Sequence, residues 1–139
     1  MARYFEERER FASRFPIIAA AEPVIVFQLL TGAEGLMTAS VNFAPSLMLD
    51  LWKAAKEKKT QLALDLFSRV FQVRKLMSEA ILAGFPAFVP YTKAALEILG
   101  VPVGPPRPPL SSLSAAERAL LAQVLTEVVG LRHVGDTGS

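Results

Sequence analysis

Few residues of this chain combine a reactive side chain with a position that favours chemistry. Glu22 is the one acidic residue at the C-terminal end of a predicted strand, where the active sites of parallel α/β folds gather. It precedes Pro23, so it could equally lie at a helix N-terminus and interact with the helix dipole. Lys93 could in principle form a Schiff base, but it opens a predicted helix, where an exposed amine is a poor candidate. His133, the single histidine, follows the last predicted helix and is expected at the surface.

Motifs for common catalytic centres are absent from the sequence. It contains no HExxH, no GxSxG and no phosphate-binding loop, and Gly32–Gly35 lacks the three-glycine dinucleotide spacing, so a turn is predicted there. The chain has no cysteine, which excludes disulfides, thiolate nucleophiles and Cys-ligated zinc. No cofactor and no metal site are therefore predicted.

Composition places the chain among globular proteins. Its 139 residues suit one domain or a piece of a larger one, and 52% of them are hydrophobic. The small net charge of +2 gives no reason to expect a basic surface that binds nucleic acid. The sequence contains no run of about 18 apolar residues, so no membrane span is predicted. The charged N-terminus lacks the apolar region of a signal peptide. With the absence of cysteine, these features predict a soluble cytoplasmic protein.

The first part of the chain predicts two β/α units after an N-terminal helix over Ala2–Arg14. A continuously apolar strand, expected to be covered on both faces, is predicted at Ile17–Ala20, and a second strand at Gly35–Ser40. One helix is predicted at Val24–Leu30, with Pro23 placed in the first turn that opens it, and another at Pro45–Glu57. Two parallel strands alone would expose unpaired backbone edges, which indicates that further strands are missing.

The second part predicts helices only. A long helix is expected from Thr60 to about Ala83, a proline-containing link follows over Phe85–Pro90, and a short helix over Tyr91–Leu99. A proline-rich connector, Val101–Leu110, then leads to a last helix, which begins with a capping box of Ser114 and Glu117. The predicted apolar stripe of the long helix is Leu62, Leu66, Val70, Val73, Met77 and Ile81. The predicted buried face of the last helix is Leu120, Leu121, Val124, Leu125 and Val128.

Three segments of the chain match the sequence pattern of one family. The stretch GAEGLMTASVNFAP is similar to the pattern G-x-x-G-x-x-S-x-x-x-N-x-x-P, with Thr38 in place of the serine. The matching positions are Gly32, Gly35, Asn42 and Pro45. LMLDLWKAAKEKKTQLALDLFSRV is similar to the next two helices of that family, and KAALEILGVPVGPPRPPLSSLSAAERALL to its C-terminal helical region. The family that the chain resembles is the dihydrodipicolinate synthase / N-acetylneuraminate lyase family.

The resemblance implies the C-terminal quarter of a (β/α)8 TIM barrel, with an all-α C-terminal extension. In this interpretation residues 1–57 form the last two β/α units, residues 58–131 the helical region, and residues 132–139 a disordered tail. Members of the family are class I aldolases or lyases that act on pyruvate-type 2-oxo acids. A complete barrel takes roughly 250 residues, and the strands that carry the Schiff-base lysine and the proton-relay tyrosine are not in this chain.

The resemblance also implies two substrate-binding positions. Ala20 matches the glycine-type position at the tip of strand seven, and Met37 the aliphatic position of strand eight beside the bound 2-oxo acid. The family's G-N/D-D/E reads Ala20-Ala21-Glu22 here, so only its last acidic position is kept. The expected partners are a 2-oxo-acid substrate in the complete barrel and either a complementing chain or further copies in a homo-oligomer. The alternative is a non-catalytic helical interaction or assembly module derived from such a barrel.

Overall fold

Helices dominate the chain, and they accompany one small parallel sheet. The computed structural model describes residues 2–82, 88–128 and 130. Its elements are α1 (Ala2–Phe11), β1 (Ile18–Ala19), α2 (Ile25–Leu30), β2 (Gly35–Leu36), α3 (Ser40–Phe43), α4 (Pro45–Lys56), α5 (Thr60–Leu82), α6 (Phe88–Ile98) and α7 (Ala115–Gln123). A 3₁₀ turn over Glu22–Val24 precedes α2, and a π-helical turn over Val124–Val128 follows α7. The chain is therefore a mostly helical α/β structure.

Contacts between residues divide the chain into two units. The first consists of the residues up to Val41 together with Pro45–Ser68, and the second of Asn42–Ala44 together with the residues from Arg69 onward. The sheet, α1, α2 and α4 belong to the first unit, and α6 and α7 to the second.

Both strands are shorter than the sequence predicts. β2 ends at Leu36 instead of Ser40, and Ser40 begins a short helix that was not predicted. The only strand partner of β2 in the described ranges is β1, which ends at Ala19 before the 3₁₀ turn at Glu22. Beyond this point β2 has no neighbouring strand to which its backbone could hydrogen-bond, so the strand ends. Ile18 is 48% exposed, so the expectation that β1 is covered on both faces is wrong.

The core of the first unit lies between α2 and α4. Ile25 and Val26 of α2 and Leu51 of α4 are fully buried, and the two helices pack against each other. Each such side chain stabilises the fold by about 1.5–3 kcal/mol. This burial explains why a segment rich in β-branched residues forms the predicted helix, because packing overrides weak strand propensity.

Polar contacts fix the ends of these elements. The Tyr4 hydroxyl of α1 donates to the Gln28 carbonyl oxygen at 2.9 Å, and the Trp52 indole N–H of α4 donates to the Glu34 carbonyl oxygen at 3.0 Å. Gly32, in the turn after α2, has a φ of +104°, and a Cβ added there would lie 2.7 Å from the Arg8 guanidinium. Helix α1 is thus tied to α2, and α4 is tied to the residue that precedes β2.

The second unit buries one face of each of its helices. Val70, Val73 and Met77 of the predicted stripe are buried on α5, which confirms the period of that helix. Leu62, at its start, is 47% exposed, so the prediction that the stripe reaches it is wrong. The side chain of Ile81 lies outside the described residues.

Helix α6 begins earlier than predicted, and α7 buries a narrower face. Phe88 starts α6, which is possible with Pro90 in the first turn because the amide hydrogens of that turn have no helical partner. Leu121 and Leu125 are fully buried, whereas Leu120 is 48% exposed and does not belong to the buried face. Leu121 and Leu125 are four residues apart and share one side of the helix, and Leu120 is turned about 100° away from Leu121.

The capping box at the start of α7 is confirmed. The Glu117 amide donates to Ser114 Oγ at 3.3 Å, and the Ser114 amide donates to Glu117 Oε2 at 2.8 Å. The hydrogen bonds from the Ser114 hydroxyl and then from its backbone amide lower the pKa of the Glu117 carboxyl. The cap therefore favours the ionised carboxylate.

Replacing Ser114 by alanine is expected to lower the free energy of unfolding by about 1 kcal/mol, because an amide at the start of α7 loses its acceptor. Glu117 has a lowered pKa in the folded state, so its contribution is present above its unfolded pKa and is lost as pH falls through the folded pKa. Urea unfolding followed by circular dichroism, at pH 7 and at pH 3, measures both effects. Ser111→Ala is the control, because Ser111 is exposed and precedes the cap. An equal loss in the two variants would contradict the capping role.

Candidate functional site

The carboxyl ends of the two strands lie side by side in the first unit. The strands are parallel, with Ile18 opposite Gly35 and Ala19 opposite Leu36. The Met37 amide then donates to the Ala19 carbonyl oxygen at 2.8 Å. Ala20 and Met37 are the residues that directly follow β1 and β2. They are thereby brought together at the sheet edge formed by the carboxyl ends of the two strands. Both are exposed, and Met37 is 70% exposed.

A buried hydrogen bond joins the segments that follow these strand ends. Glu22 lies in the 3₁₀ turn after β1 and Ser40 begins α3 after β2. Both are buried, with exposed fractions of 7% and 2%, and the Ser40 hydroxyl donates to the Glu22 carboxyl. The sequence drew attention to Glu22, but no pattern in it pointed to Ser40, which was predicted as the last residue of a strand. The bond occupies the Glu22 carboxyl, so a role as an open, solvent-facing acid is not supported.

The hydroxyl of Thr38 is the second polar group at this edge. Thr38 follows Met37 directly, and its Oγ1 atom is buried without a hydrogen-bond partner in the described part of the chain. A buried hydroxyl without a partner costs about 1–3 kcal/mol. The Thr38 oxygen is covered by protein in this structure, so it does not add an open hydrogen-bonding position beside Met37.

Ala20 also lines a groove along β1. The groove has a volume of about 290 Å³ and contains both apolar walls and polar side chains. It is lined by Arg3, Tyr4, Glu7, Ile17, Ile18, Ala20, Ala21, Val24 and Gln28. Arg3 Nε donates to Glu7 Oε1 at 2.8 Å, so these two charges compensate each other. Met37 does not line this groove, so the two sequence-predicted positions share a sheet edge but not this cavity.

Lys93 lies in the second unit and its amine is already engaged. Its Nζ atom donates to the carbonyl oxygens of Val103 at 3.0 Å, Gly104 at 3.3 Å and Pro105 at 3.1 Å. An ammonium group has three N–H donors. All three can therefore be used to hold the proline-rich connector against α6, and a Schiff base would give up these bonds. His133 lies outside the described residues.

Within residues 2–82 and 88–128 no group of three His, Cys, Asp or Glu side chains is placed to hold a metal ion. Over the same ranges, no helix combines the length and the apolar composition needed to cross a membrane.

Comparisons with known proteins agree on one family. The family model described as the dihydrodipicolinate synthetase family matches residues 1–128. An uncharacterised DapA-like lyase of Pyrobaculum arsenaticum is 28% identical over 120 residues, which are 83% of this chain and 39% of the relative. A DapA-like lyase of Halobacterium salinarum is 30% identical over 80% of this chain and 34% of the relative. The 4-hydroxy-tetrahydrodipicolinate synthase of Methanopyrus kandleri is 25% identical over 82% of this chain and 36% of the relative.

Solved structures show the same fold. The dihydrodipicolinate synthase of Bacteroides thetaiotaomicron superposes with a TM-score of 0.74 at 19% identity, over 88% of this chain and 42% of that one. A protein described as a candidate dihydrodipicolinate synthetase of Pseudomonas aeruginosa gives a TM-score of 0.79 at 24% identity, over 91% and 42%. The chain thus spans about two fifths of the length of the proteins that it matches, or less.

Proposed function

Because the chain belongs to the dihydrodipicolinate synthetase family, we propose that it is the C-terminal part of a Schiff-base-forming lyase acting on pyruvate or another 2-oxo acid. In this proposal residues 1–57 supply the last two β/α units of a (β/α)8 barrel. Residues 58–131 supply the helical extension, and the predicted tail, residues 132–139, lies outside the described residues. The parallel pairing of β1 with β2 is the observation that carries the proposal, because it sets the two strand ends side by side as adjacent barrel strands require.

Ala20 and Met37 contact the 2-oxo acid in the complete protein. Two features support this role: both residues are exposed at the same sheet edge, and the Met37 amide is held in place by Ala19. Glu22 and Ser40 act as a brace that holds the two strand ends together, and they do not touch the reacting atoms.

The amine that forms the Schiff base comes from the part of the protein that this chain does not contain. Lys93 is unsuited to the task because its amine donates to three backbone carbonyls of the connector. A carbonyl substrate needs a free, neutral amine to attack it. The isolated chain therefore has no lyase activity.

The isolated chain is expected to show no mass increase after treatment with pyruvate and sodium borohydride, which reduces a Schiff base to a stable adduct. Intact-mass spectrometry makes the measurement. The control is the same chain mixed with the part of the Pyrobaculum arsenaticum relative that it does not match. There, we expect an adduct on a lysine of the added part. An adduct on Lys93, or no adduct in the mixture, would contradict the proposal.

A non-catalytic assembly module is the second candidate function. Large apolar side chains in the first unit favour it, since Phe15 is 54% exposed and Phe27 is 50% exposed. Exposed apolar side chains are typical of interaction sites where they form a contiguous patch. In that case the chain alone would form a homo-oligomer of defined size in the cytoplasm, and light scattering on the purified chain separates this from a monomer.

A further inference from the structure

Three successive backbone carbonyls surround the Lys93 amine of the second unit. The Nζ atom lies 3.0 Å from the Val103 oxygen, 3.3 Å from the Gly104 oxygen and 3.1 Å from the Pro105 oxygen. Val103, Gly104 and Pro105 are called the carbonyl loop below. Oxygens that converge on one point in this way are typical of a cation site, because rings of carbonyl oxygens replace the hydration shell of a bound cation.

Gly104 gives the carbonyl loop its shape. In an extended chain successive residues face opposite sides of the backbone, so three carbonyls in a row do not converge. Gly104 has a φ of +66°, a left-handed conformation that glycine adopts without steric cost. A Cβ added there would meet nothing within 4 Å in the described part of the chain, so close packing is not what favours glycine. Glycine supplies the backbone conformation that turns the three oxygens toward one point.

The connector has few other means of holding its own backbone. Pro102, Pro105 and Pro106 have no amide hydrogen, so they donate no backbone hydrogen bonds along this stretch. Donors for its shielded carbonyl oxygens must come from elsewhere, because a carbonyl withdrawn from water without a partner is costly. An ammonium group carries three N–H donors on one atom and can therefore satisfy three oxygens at once.

A small cavity lies beside the ammonium group. Its volume is about 40 Å³, and its walls include Lys93 and Glu97 of α6, Gly104 of the carbonyl loop and Arg118 of α7. Arg118 Nη1 donates to Glu97 Oε2 at 3.2 Å, so these two charges compensate each other. Lys93 and Glu97 are four residues apart and share one face of α6. That face therefore holds both the connector and the helix that follows it.

We propose that the carbonyl loop is a binding site for a primary ammonium group and that Lys93 fills this site from within the chain. The three donors of an ammonium match the three oxygens in number and rotate to meet them, whereas a guanidinium presents its donors in a rigid planar fork. The bound cation holds the connector on α6. A primary amine from solution takes the same place when the lysine amine is removed.

Chemical rescue of a Lys93 variant tests the site on the full chain. Lys93→Ala keeps the first carbon of the four-carbon lysine stem and removes the rest with the amine. The probe is propylammonium, which supplies the missing carbons and the amine, and the vacated space opens on the cavity of about 40 Å³. Lys75→Ala is the matched control, because Lys75 is an exposed lysine on a helix of the same unit.

Lys93→Ala is expected to raise the equilibrium constant of unfolding about tenfold or more, because three carbonyl oxygens lose a charged donor. Lys75→Ala should change it by less than about twofold. Urea unfolding followed by circular dichroism measures both. Propylammonium chloride should stabilise Lys93→Ala increasingly as its concentration rises, whereas tetramethylammonium chloride, which has no N–H donor, should not. In NMR spectra the carbonyl carbon shifts of the carbonyl loop should then return toward their wild-type values.

Lys93→Met separates the lost donors from the lost packing. Methionine has nearly the length of lysine but no N–H donor, so this variant should lose stability and gain none from propylammonium. Where Lys93→Ala does not fold alone, refolding on addition of propylammonium is the same rescue.

Three results would overturn the proposal: equal stability of Lys93→Ala and Lys75→Ala, no rescue of Lys93→Ala by propylammonium, or an equal response to tetramethylammonium. Rescue of Lys93→Met would also contradict it, because the methionine side chain fills the place that the probe must take. None of these outcomes depends on the proposed function, since no 2-oxo acid enters the experiment.

Discussion

Leu121→Ala is expected to lower the free energy of unfolding of the second unit by about 2–5 kcal/mol. The Leu121 side chain is fully buried on α7, and truncating it removes apolar contacts and leaves a cavity that the helices fill only in part. Urea unfolding followed by circular dichroism at 222 nm measures the loss, and hydrogen exchange of the α7 amides assigns it to this unit.

The preceding residue is the matched control for this prediction. Leu120 has the same chemical type in the same helix and is 48% exposed, so Leu120→Ala is expected to change stability by less than about 0.5 kcal/mol. Equal costs for the two substitutions would mean that α7 presents a different face to its neighbours.

Ser40→Ala is expected to cost about 1–3 kcal/mol, because the Glu22 carboxyl stays buried and loses its hydrogen-bond donor. The fluorescence of Trp52 is a suitable readout, since it is the only tryptophan of the chain and belongs to the same unit. Ser46→Ala is the control, because Ser46 is an exposed serine at the start of α4.

A double-mutant cycle separates the hydrogen bond from the general effect of each substitution. The variant carrying both Glu22→Leu and Ser40→Ala should cost less than the sum of the two single substitutions, because it leaves no buried polar group without a partner. Strictly additive costs would show that the two side chains are not coupled, and the brace between the strand ends would have to be abandoned.

The long helices were predictable because their patterns extend over many residues. The stripe on α5 repeats over several turns, and the Ser114–Glu117 box marks the start of α7 by chemistry alone. Their buried faces were harder to predict. Leu120 and Leu62 are apolar residues at the margin of a stripe, and whether such a residue is covered depends on neighbouring elements that the pattern of one helix does not describe.

The strand ends were predictable only in outline. Ala20, Glu22 and Met37 were identified from the resemblance or from their position, and the structure places Ala20 and Met37 at one sheet edge. The Glu22–Ser40 bond joins residues 18 positions apart, and no short-range pattern signals such a pair. The predicted length of β2 failed for a related reason, because a strand continues only as far as its neighbour does.

The turn at Gly32 bears on which residues natural variation can change. Its φ of +104° strains any residue with a side chain, at a cost of about 1–2 kcal/mol or more, whatever space surrounds it. The Arg8 guanidinium that lies over it is the far end of a flexible side chain and can move aside. The two positions therefore differ in the substitutions that they tolerate. Many residue types can replace Arg8, whereas the backbone conformation at position 32 requires glycine. Shortening Arg8 would not rescue an alanine there.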